Sequence, residues 1–78
     1  MSRLKLLVYS DLARVAEAAG FNWVRRRGSH NTFRSQDGKV VVIPDHGHHV
    51  ITRPLLRKIV RDMGLTVEEY NQLVESID

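Results

Sequence analysis

Apolar residues recur along this chain with two different spacings, and the change from one to the other predicts where helices and strands lie. Apolar positions three and four residues apart predict a first helix over residues 11–19, with Ser10 as its N-cap and Gly20 in the left-handed position after its end. Three short strands are predicted next, over residues 22–26, 31–35 and 39–43.

The third predicted strand differs from the other two because it lacks polar residues. Residues 40–43 are four consecutive aliphatic residues, which predicts a central strand or a strand covered on both faces. Pro44 ends the strand. Asp37 and Gly38 precede it, and this pair predicts a two-residue hairpin turn with positive φ at both positions.

Two more helices follow a predicted loop over residues 44–51. One begins after Thr52, carries Pro54 in its first turn and ends before Gly64. The other follows Thr66, where residues 66–69 match a capping box. The predicted order αβββαα gives an α+β sandwich, a three-stranded antiparallel sheet with helices packed on one face, which is the double-stranded RNA-binding layout. Residues 1–78 form one domain.

Positive charge is concentrated in the middle of the chain. Residues 66–78 contain four carboxylates and no lysine or arginine, so residues 1–65 carry +7 although the whole chain carries +3. Four arginines and no acidic residue lie between Phe21 and Gln36. This concentration favours a polyanionic partner such as nucleic acid, and the alternative is an ordinary solubilising surface.

Cysteine usage and hydropathy exclude several classes. The chain has no cysteine, so it has neither disulfides nor thiolate metal ligands. Residues 4–9 are mostly apolar but include Lys5, and the run is too short for a signal peptide or a membrane span. We therefore expect a soluble, cytoplasmic protein that does not contact membranes.

The tripeptide Gly28-Ser29-His30 is the strongest candidate for chemistry. A tight turn here places His30 at the start of the second strand, beside Arg25, Arg26 and Arg27. We also assign Ser29 and Arg34 to this candidate RNA site. A histidine gains or loses a proton near neutral pH, and arginines stabilise negative charge on phosphoryl oxygens. The alternative is a turn histidine that only bonds to the backbone.

The wider pattern resembles a known family. Matching segments occur in order at Gly20-Phe21, Val24-Arg25, Gly28-Ser29-His30, Phe33-Arg34, Asp37-Gly38, Val42-Ile43-Pro44, His46-Gly47, Ile51, Pro54, Leu55-Leu56-Arg57, Ile59 and Gly64-Leu65. Together they resemble the HicA family of mRNA interferase toxins, also called YcfA-like proteins, over roughly residues 10–70. The resemblance implies a double-stranded RNA-binding-like fold and metal-independent cleavage of mRNA without a cofactor. It also implies inhibition by a HicB-type antitoxin.

The resemblance makes His30 the catalytic residue. Many relatives have a second histidine or a basic residue at the next position, where this chain has Asn31. The second proton-transfer group is therefore open. His46 is a candidate, because the matching loop position is histidine in many relatives. We expect no direct binding to DNA.

Three further groups of residues have two interpretations each. His46, His48 and His49 could bind a metal ion or be loop histidines that bind none. We favour the second interpretation, because few other ligands lie nearby in the sequence. Arg53, in the first turn of the second predicted helix, is a candidate RNA contact. Trp23 and Phe33 are predicted core residues, and the alternative is stacking on unpaired bases.

Two other functions are compatible with this pattern. A non-catalytic double-stranded RNA-binding module would use the basic surface without needing His30. The second alternative is a scaffold that binds an acidic protein through the same surface. Cleavage assays and the salt dependence of RNA binding distinguish them from a ribonuclease.

Overall fold

The first two helices pack on one face of a three-stranded antiparallel sheet, and the third packs against the first. The computed structural model describes residues 3–77, and its elements are α1 (Tyr9–Ala18), β1 (Phe21–Arg27), β2 (His30–Ser35), β3 (Val40–Pro44), α2 (Arg53–Asp62) and α3 (Val67–Ser76). The strands form a meander in the order β1-β2-β3. The predicted α+β fold of the double-stranded RNA-binding type is confirmed, and the strands lie within one residue of their predicted bounds.

The core lies between the sheet and the helices. Alternate residues of the central and third strands are almost fully buried, namely Phe33, Val41 and Ile43, each at most 1% exposed. They pack in one cluster with apolar residues of α1, α2 and α3. The opposite side of the sheet is not covered by the helices. We call it the open face, and its residues are Asn22, Arg25, Arg27, His30, Thr32, Arg34, Val40, Val42 and Pro44.

The prediction for the third strand was wrong. β3 is an edge strand, and Val40 and Val42 are 46% and 42% exposed on the open face. A three-stranded meander has only one central strand, here β2, and the helices cover only one side of it. The aliphatic run therefore reflects burial of Val41 and Ile43 together with two exposed valines.

The hairpin between β2 and β3 also differs from the prediction. The Gly38 N–H donates to the Ser35 carbonyl at 3.1 Å, and among residues 3–77 only glycines have positive φ. Asp37 is therefore not left-handed, and the connection is a three-residue loop with Gly38 at φ +91°. The Asp37 carboxylate accepts hydrogen bonds from the side chains of Lys39 and Ser35. These bonds lower the pKa of Asp37 to about 2.

The first helix begins earlier than predicted. Its N-cap residue is Val8, so Ser10 lies inside the helix and does not cap it. Residues 3–8 form neither helix nor strand, Leu4 and Leu7 are buried, and the Ile51 N–H donates to the Leu7 carbonyl at 2.9 Å. The helix starts directly after this contact.

The C-terminal helix is fixed to the N-terminal segment. The Tyr70 hydroxyl donates to the Lys5 carbonyl at 2.7 Å, and burial raises the pKa of Tyr70. The Asn71 side chain donates to the Arg3 carbonyl at 2.9 Å. These contacts join both ends of the described chain. No helix in this part of the chain has the length and apolar character needed to cross a membrane.

Trp23, like Val40 and Val42, was predicted to be buried but is largely exposed. Phe33 is 1% exposed, which confirms its prediction, whereas Trp23 is 53% exposed. β1 is an edge strand, so the indole ring lies at the margin of the helix layer. Its N–H donates to the side-chain carbonyl of Asn31 at 3.0 Å, so Trp23 lies against the sheet rather than on the open face.

The capping box at the start of α3 generates a stability prediction. The Glu69 N–H donates to the Thr66 hydroxyl at 3.1 Å, and the Thr66 N–H donates to the Glu69 carboxylate at 2.8 Å. Thr66→Ala should lower the free energy of unfolding by about 1 kcal/mol, measured by urea denaturation. The control Ser10→Ala should change it by less than about 0.5 kcal/mol, because Ser10 caps nothing. Equal losses in the two variants would contradict these assignments.

Candidate functional site

A two-residue turn places His30 at the edge of the open face. Gly28 and Ser29 connect β1 to β2, and His30 is the first residue of β2, as the sequence predicted. Gly28 has φ +58° and Ser29 does not have positive φ. This pattern is that of a type II′ turn, whose first central position favours glycine. His30 is exposed and pairs with Arg27 across the hairpin.

The buried side-chain amide of Asn31 supports the turn from the helix side of the sheet. The Ser29 carbonyl accepts from the Asp45 N–H at 2.7 Å and from the side-chain NH₂ of Asn31 at 3.3 Å. Asn31 is 3% exposed, and its other amide atom accepts the Trp23 N–H. Both ends of the Asn31 amide are therefore used. A buried polar group that both donates and accepts a hydrogen bond helps to fix local geometry, so Asn31 and Trp23 support the backbone that carries His30.

The three consecutive arginines do not share one face. The pairing of β1 with β2 shifts between Trp23 and Arg25, which leaves Val24 in a β-bulge. Strict alternation from Phe21 would place Arg26 on the open face, but the bulge places Arg25 and Arg27 there instead. These two residues lie opposite Thr32 and His30, respectively.

Arg26 lies on the other side of the strand. Its Nε donates to the Gly28 carbonyl at 2.7 Å, and its guanidinium lies 3.9 Å from the Asp45 carboxylate. It therefore braces the turn from the helix side. The structure thus brings Arg25, Arg27 and, along β2, Arg34 to the face of His30, and it does not bring Arg26 there.

The loop after β3 closes against the same turn. Besides its backbone bond to Ser29, Asp45 accepts the Gly47 N–H on its carboxylate at 2.9 Å, and the His49 N–H donates to the His46 carbonyl at 3.2 Å. His46 is therefore one residue away from a direct contact with the turn of His30. It is exposed, as are His48 and His49. Across residues 3–77, no three or more His, Cys, Asp or Glu side chains are grouped so that they could hold a metal ion.

Arg53 lies in the helix layer. It is the first residue of α2, and its guanidinium donates to the Leu4 carbonyl at 2.8 Å. This contact fixes the N-terminal segment, whereas His30 lies on the open face.

The family can now be assigned. A family model described as the HicA toxin of bacterial toxin–antitoxin systems matches residues 9–65, which is more than two thirds of the chain. The chain belongs to the HicA toxin family. The match begins at α1 and extends past the end of α2, so it includes the His30 turn and all three strands of this HicA toxin. No curated protein matches the chain.

Sequence reasoning about this HicA toxin missed the residues that support the turn. The sequence marks Asn31 only as a departure from the family pattern, and it predicts Trp23 as a core residue. One available signal was the asparagine itself, because it lies at a position of β2 that alternates with His30 and falls on the same face as Phe33. A buried polar residue in a strand requires partners, and Trp23 and Ser29 supply them.

The hydrogen bonds of the Asn31 side chain should contribute measurably to the free energy of unfolding. Asn31→Ala removes two hydrogen bonds and should lower the free energy of unfolding by about 2 kcal/mol in urea denaturation. Trp23→Phe removes one bond and should cost about 1 kcal/mol. Amide exchange at Asp45 should accelerate in Asn31→Ala, because the turn it bonds to loses support. Gln72→Ala, which removes an exposed amide on α3, is the control. An Asn31→Ala protein as stable as this control would show that the amide does not hold the turn.

Proposed function

We propose that this HicA toxin is a metal-independent endoribonuclease that cleaves mRNA and uses His30 as its catalytic residue. The observation that carries the proposal is the position of an exposed histidine on a face that also holds Arg25, Arg27 and Arg34 and, among its nine residues, no carboxylate. Family membership supports the role as a toxin.

The chemistry requires a base, an acid and stabilisation of charge. His30 accepts the proton of a ribose 2′-hydroxyl, and the resulting oxygen attacks the adjacent phosphorus. The bond from phosphorus to the 5′-oxygen breaks, leaving a 2′,3′-cyclic phosphate and a 5′-hydroxyl. Arg25 and Arg27 stabilise the negative charge on the non-bridging oxygens. No step needs a metal ion or a cofactor.

The leaving 5′-oxygen needs a proton, and His46 is the candidate donor. The Asp45 backbone bond to Ser29 brings the His46 loop against the turn of His30. His30 itself is the alternative donor in a later step, once it is protonated. Ser29 is half-buried beside His30 and is proposed to contact the RNA there. Arg53 was predicted to contact RNA, and its bond to Leu4 favours a structural role instead.

The toxin assignment implies a cognate antitoxin, and we propose that it is of the HicB type. An active ribonuclease in the cytoplasm, where we place this protein, damages its own cell unless it is masked. The exposed arginines around His30 attract acidic side chains. A HicB-type antitoxin that covers this turn would prevent RNA from reaching the histidine.

Replacing His30 tests the proposal most directly. His30→Ala should remain folded, with a loss of about 1 kcal/mol or less, because the side chain is exposed. RNA binding should fall only modestly, because the arginines remain. Cleavage should fall by about 10²- to 10⁴-fold, since positioned acid–base catalysis contributes that much.

His48→Ala is the matched control, because it removes an exposed loop histidine without touching the turn. It should cleave at the wild-type rate. A folded His30→Ala protein that cleaves within a few-fold of wild type would remove His30 from the mechanism. A wild-type protein that binds double-stranded RNA but never cleaves would favour a non-catalytic RNA-binding module.

Removing metal ions with a chelator tests whether cleavage needs a metal. Cleavage by the wild-type chain should be unchanged in excess EDTA, because the imidazole supplies the base and the arginines supply the positive charge. The measurement is the initial rate with and without chelator at fixed ionic strength, since salt itself weakens RNA binding. Loss of activity in EDTA and its return with zinc or magnesium would sink the metal-free mechanism.

A further inference from the structure

The open face is an array of three strips, one on each strand. Cross-strand pairing aligns the three rows Arg27–His30–Pro44, Arg25–Thr32–Val42 and Asn22–Arg34–Val40. Neighbouring strands lie about 4.8 Å apart, so the outer strips are separated by about 10 Å. Each strip extends over roughly 13 Å, since a strand rises about 3.3 Å per residue.

The three strips differ in chemistry. The β1 strip carries the cations Arg25 and Arg27. The β3 strip is aliphatic, with Val40 and Val42 exposed and Pro44 buried at its end. The β2 strip between them carries the imidazole of His30, the hydroxyl of Thr32 and, at its far end beside Asn22, the guanidinium of Arg34. The face is therefore cationic along one side and apolar along the other.

A nucleic acid strand has the same order of chemistry across its width. Phosphate lies at one side, the ribose lies in the middle and the base lies at the other side. We propose that single-stranded RNA lies along the open face with its phosphates over Arg25 and Arg27, its riboses over β2 and its bases over Val40 and Val42. This inference rests on the proposed ribonuclease function and adds the substrate's form and its orientation.

The orientation agrees with the chemistry of cleavage. A ribose over β2 places its 2′-hydroxyl beside His30, the group that must accept its proton. The neighbouring phosphate then lies toward Arg27, which pairs with His30 across the hairpin. Arg34, at the far end of the β2 strip, has a side chain long enough to reach a phosphate further along the strand.

The aliphatic strip selects unpaired RNA. Base faces in a duplex are stacked on one another and base edges are paired, so they are not available to Val40 or Val42. A single strand exposes both. Val40 and Val42 are 46% and 42% exposed, and bases lying over them would bury apolar surface that is otherwise in contact with water.

Thr32 is placed to distinguish RNA from DNA. It is half-buried in the middle of the β2 strip, between Arg25 and Val42. Its hydroxyl can donate to or accept from a ribose 2′-hydroxyl, the group that DNA lacks. The same face would also attract an acidic protein, but such a partner gives no reason for a hydroxyl between the cation of Arg25 and the side chain of Val42.

Three substitutions test the three strips separately. Each is made in the full chain carrying His30→Ala, so that binding is measured without cleavage. The probes are a single-stranded oligouridylate, the oligodeoxyuridylate of equal length, an abasic ribose–phosphate oligomer and an RNA duplex. Affinity is measured over a range of salt concentrations.

The substitution in each strip should change a different property of RNA binding. Arg25→Gln should reduce the salt dependence of binding, with the slope of log affinity against log salt falling by about 0.7. Thr32→Val should reduce the preference for RNA over DNA by about two- to tenfold. Val42→Ser should weaken binding of oligouridylate by about threefold and leave the abasic oligomer unaffected. The duplex should bind more weakly than the single strand.

Two controls match these variants in residue type and exposure. Arg61→Gln removes an exposed arginine on α2, and Val50→Ser removes a loop valine that is 45% exposed. Neither should change binding by more than the error of the measurement.

The outcomes separate this inference from the proposed function. If the wild type cleaves RNA but the duplex binds as well as the single strand, the three-strip orientation is wrong. It is also wrong if Val42→Ser weakens binding of the antitoxin while leaving RNA binding unchanged, because the valines would then be a protein contact. If the His30→Ala chain binds no RNA at all, both the inference and the proposed ribonuclease function fail.

Discussion

A short sheet that can be covered on only one side determines the arrangement of this molecule. The helices bury Phe33, Val41 and Ile43 on one face, and the core is complete once they do so. Folding then needs no apolar side chains on the other face, because the hydrophobic core has already formed. That face is free to carry charged and reactive side chains at no cost to packing, and His30 and the arginines lie there.

At the turn before His30, side chains of the buried face bond to the backbone that carries this open-face residue. Asn31 lies on the buried side, directly after His30, and bonds both to the backbone of the turn and to Trp23. Arg26 and Asp45 brace the same turn from that side. The exposed histidine is therefore supported by a network that it does not join, and its own ring remains available. If His30 acts as proposed, preorganisation of this kind lowers the cost of bringing it to the substrate.

Local signals in the sequence predicted most of the fold. Glycine at Gly28 and the capping box at Thr66 act within a few residues, so the turn and the start of α3 could be placed from the chain alone. The position of His30 followed from the same turn. The role proposed for it rests on family resemblance and on chemistry, because backbone patterns do not reveal what a side chain does.

The features that escaped prediction depend on contacts between distant segments. Val40 and Val42 looked like core residues because their burial is decided by strand order and by which face the helices cover. Ser10 looked like an N-cap because the segment before α1 gives no local signal. Asp37 avoids a left-handed conformation because Gly38 supplies the positive φ that the loop needs. Trp23 is exposed because β1 is at the edge of the sheet.

The bulge at Val24 gives β1 a tolerance to changes in chain length. Residues on both sides of it keep their partners on β2 because the surplus residue is left out of the ladder. A relative that lacks this one residue could pair without a bulge and still present the same two arginines beside the histidine. A relative that lacks a residue between Arg25 and Arg27 would exchange the two faces of the segment unless its bulge moved. The register of Arg25 and Arg27 against β2 therefore depends on the residues after the bulge and not on Val24 itself.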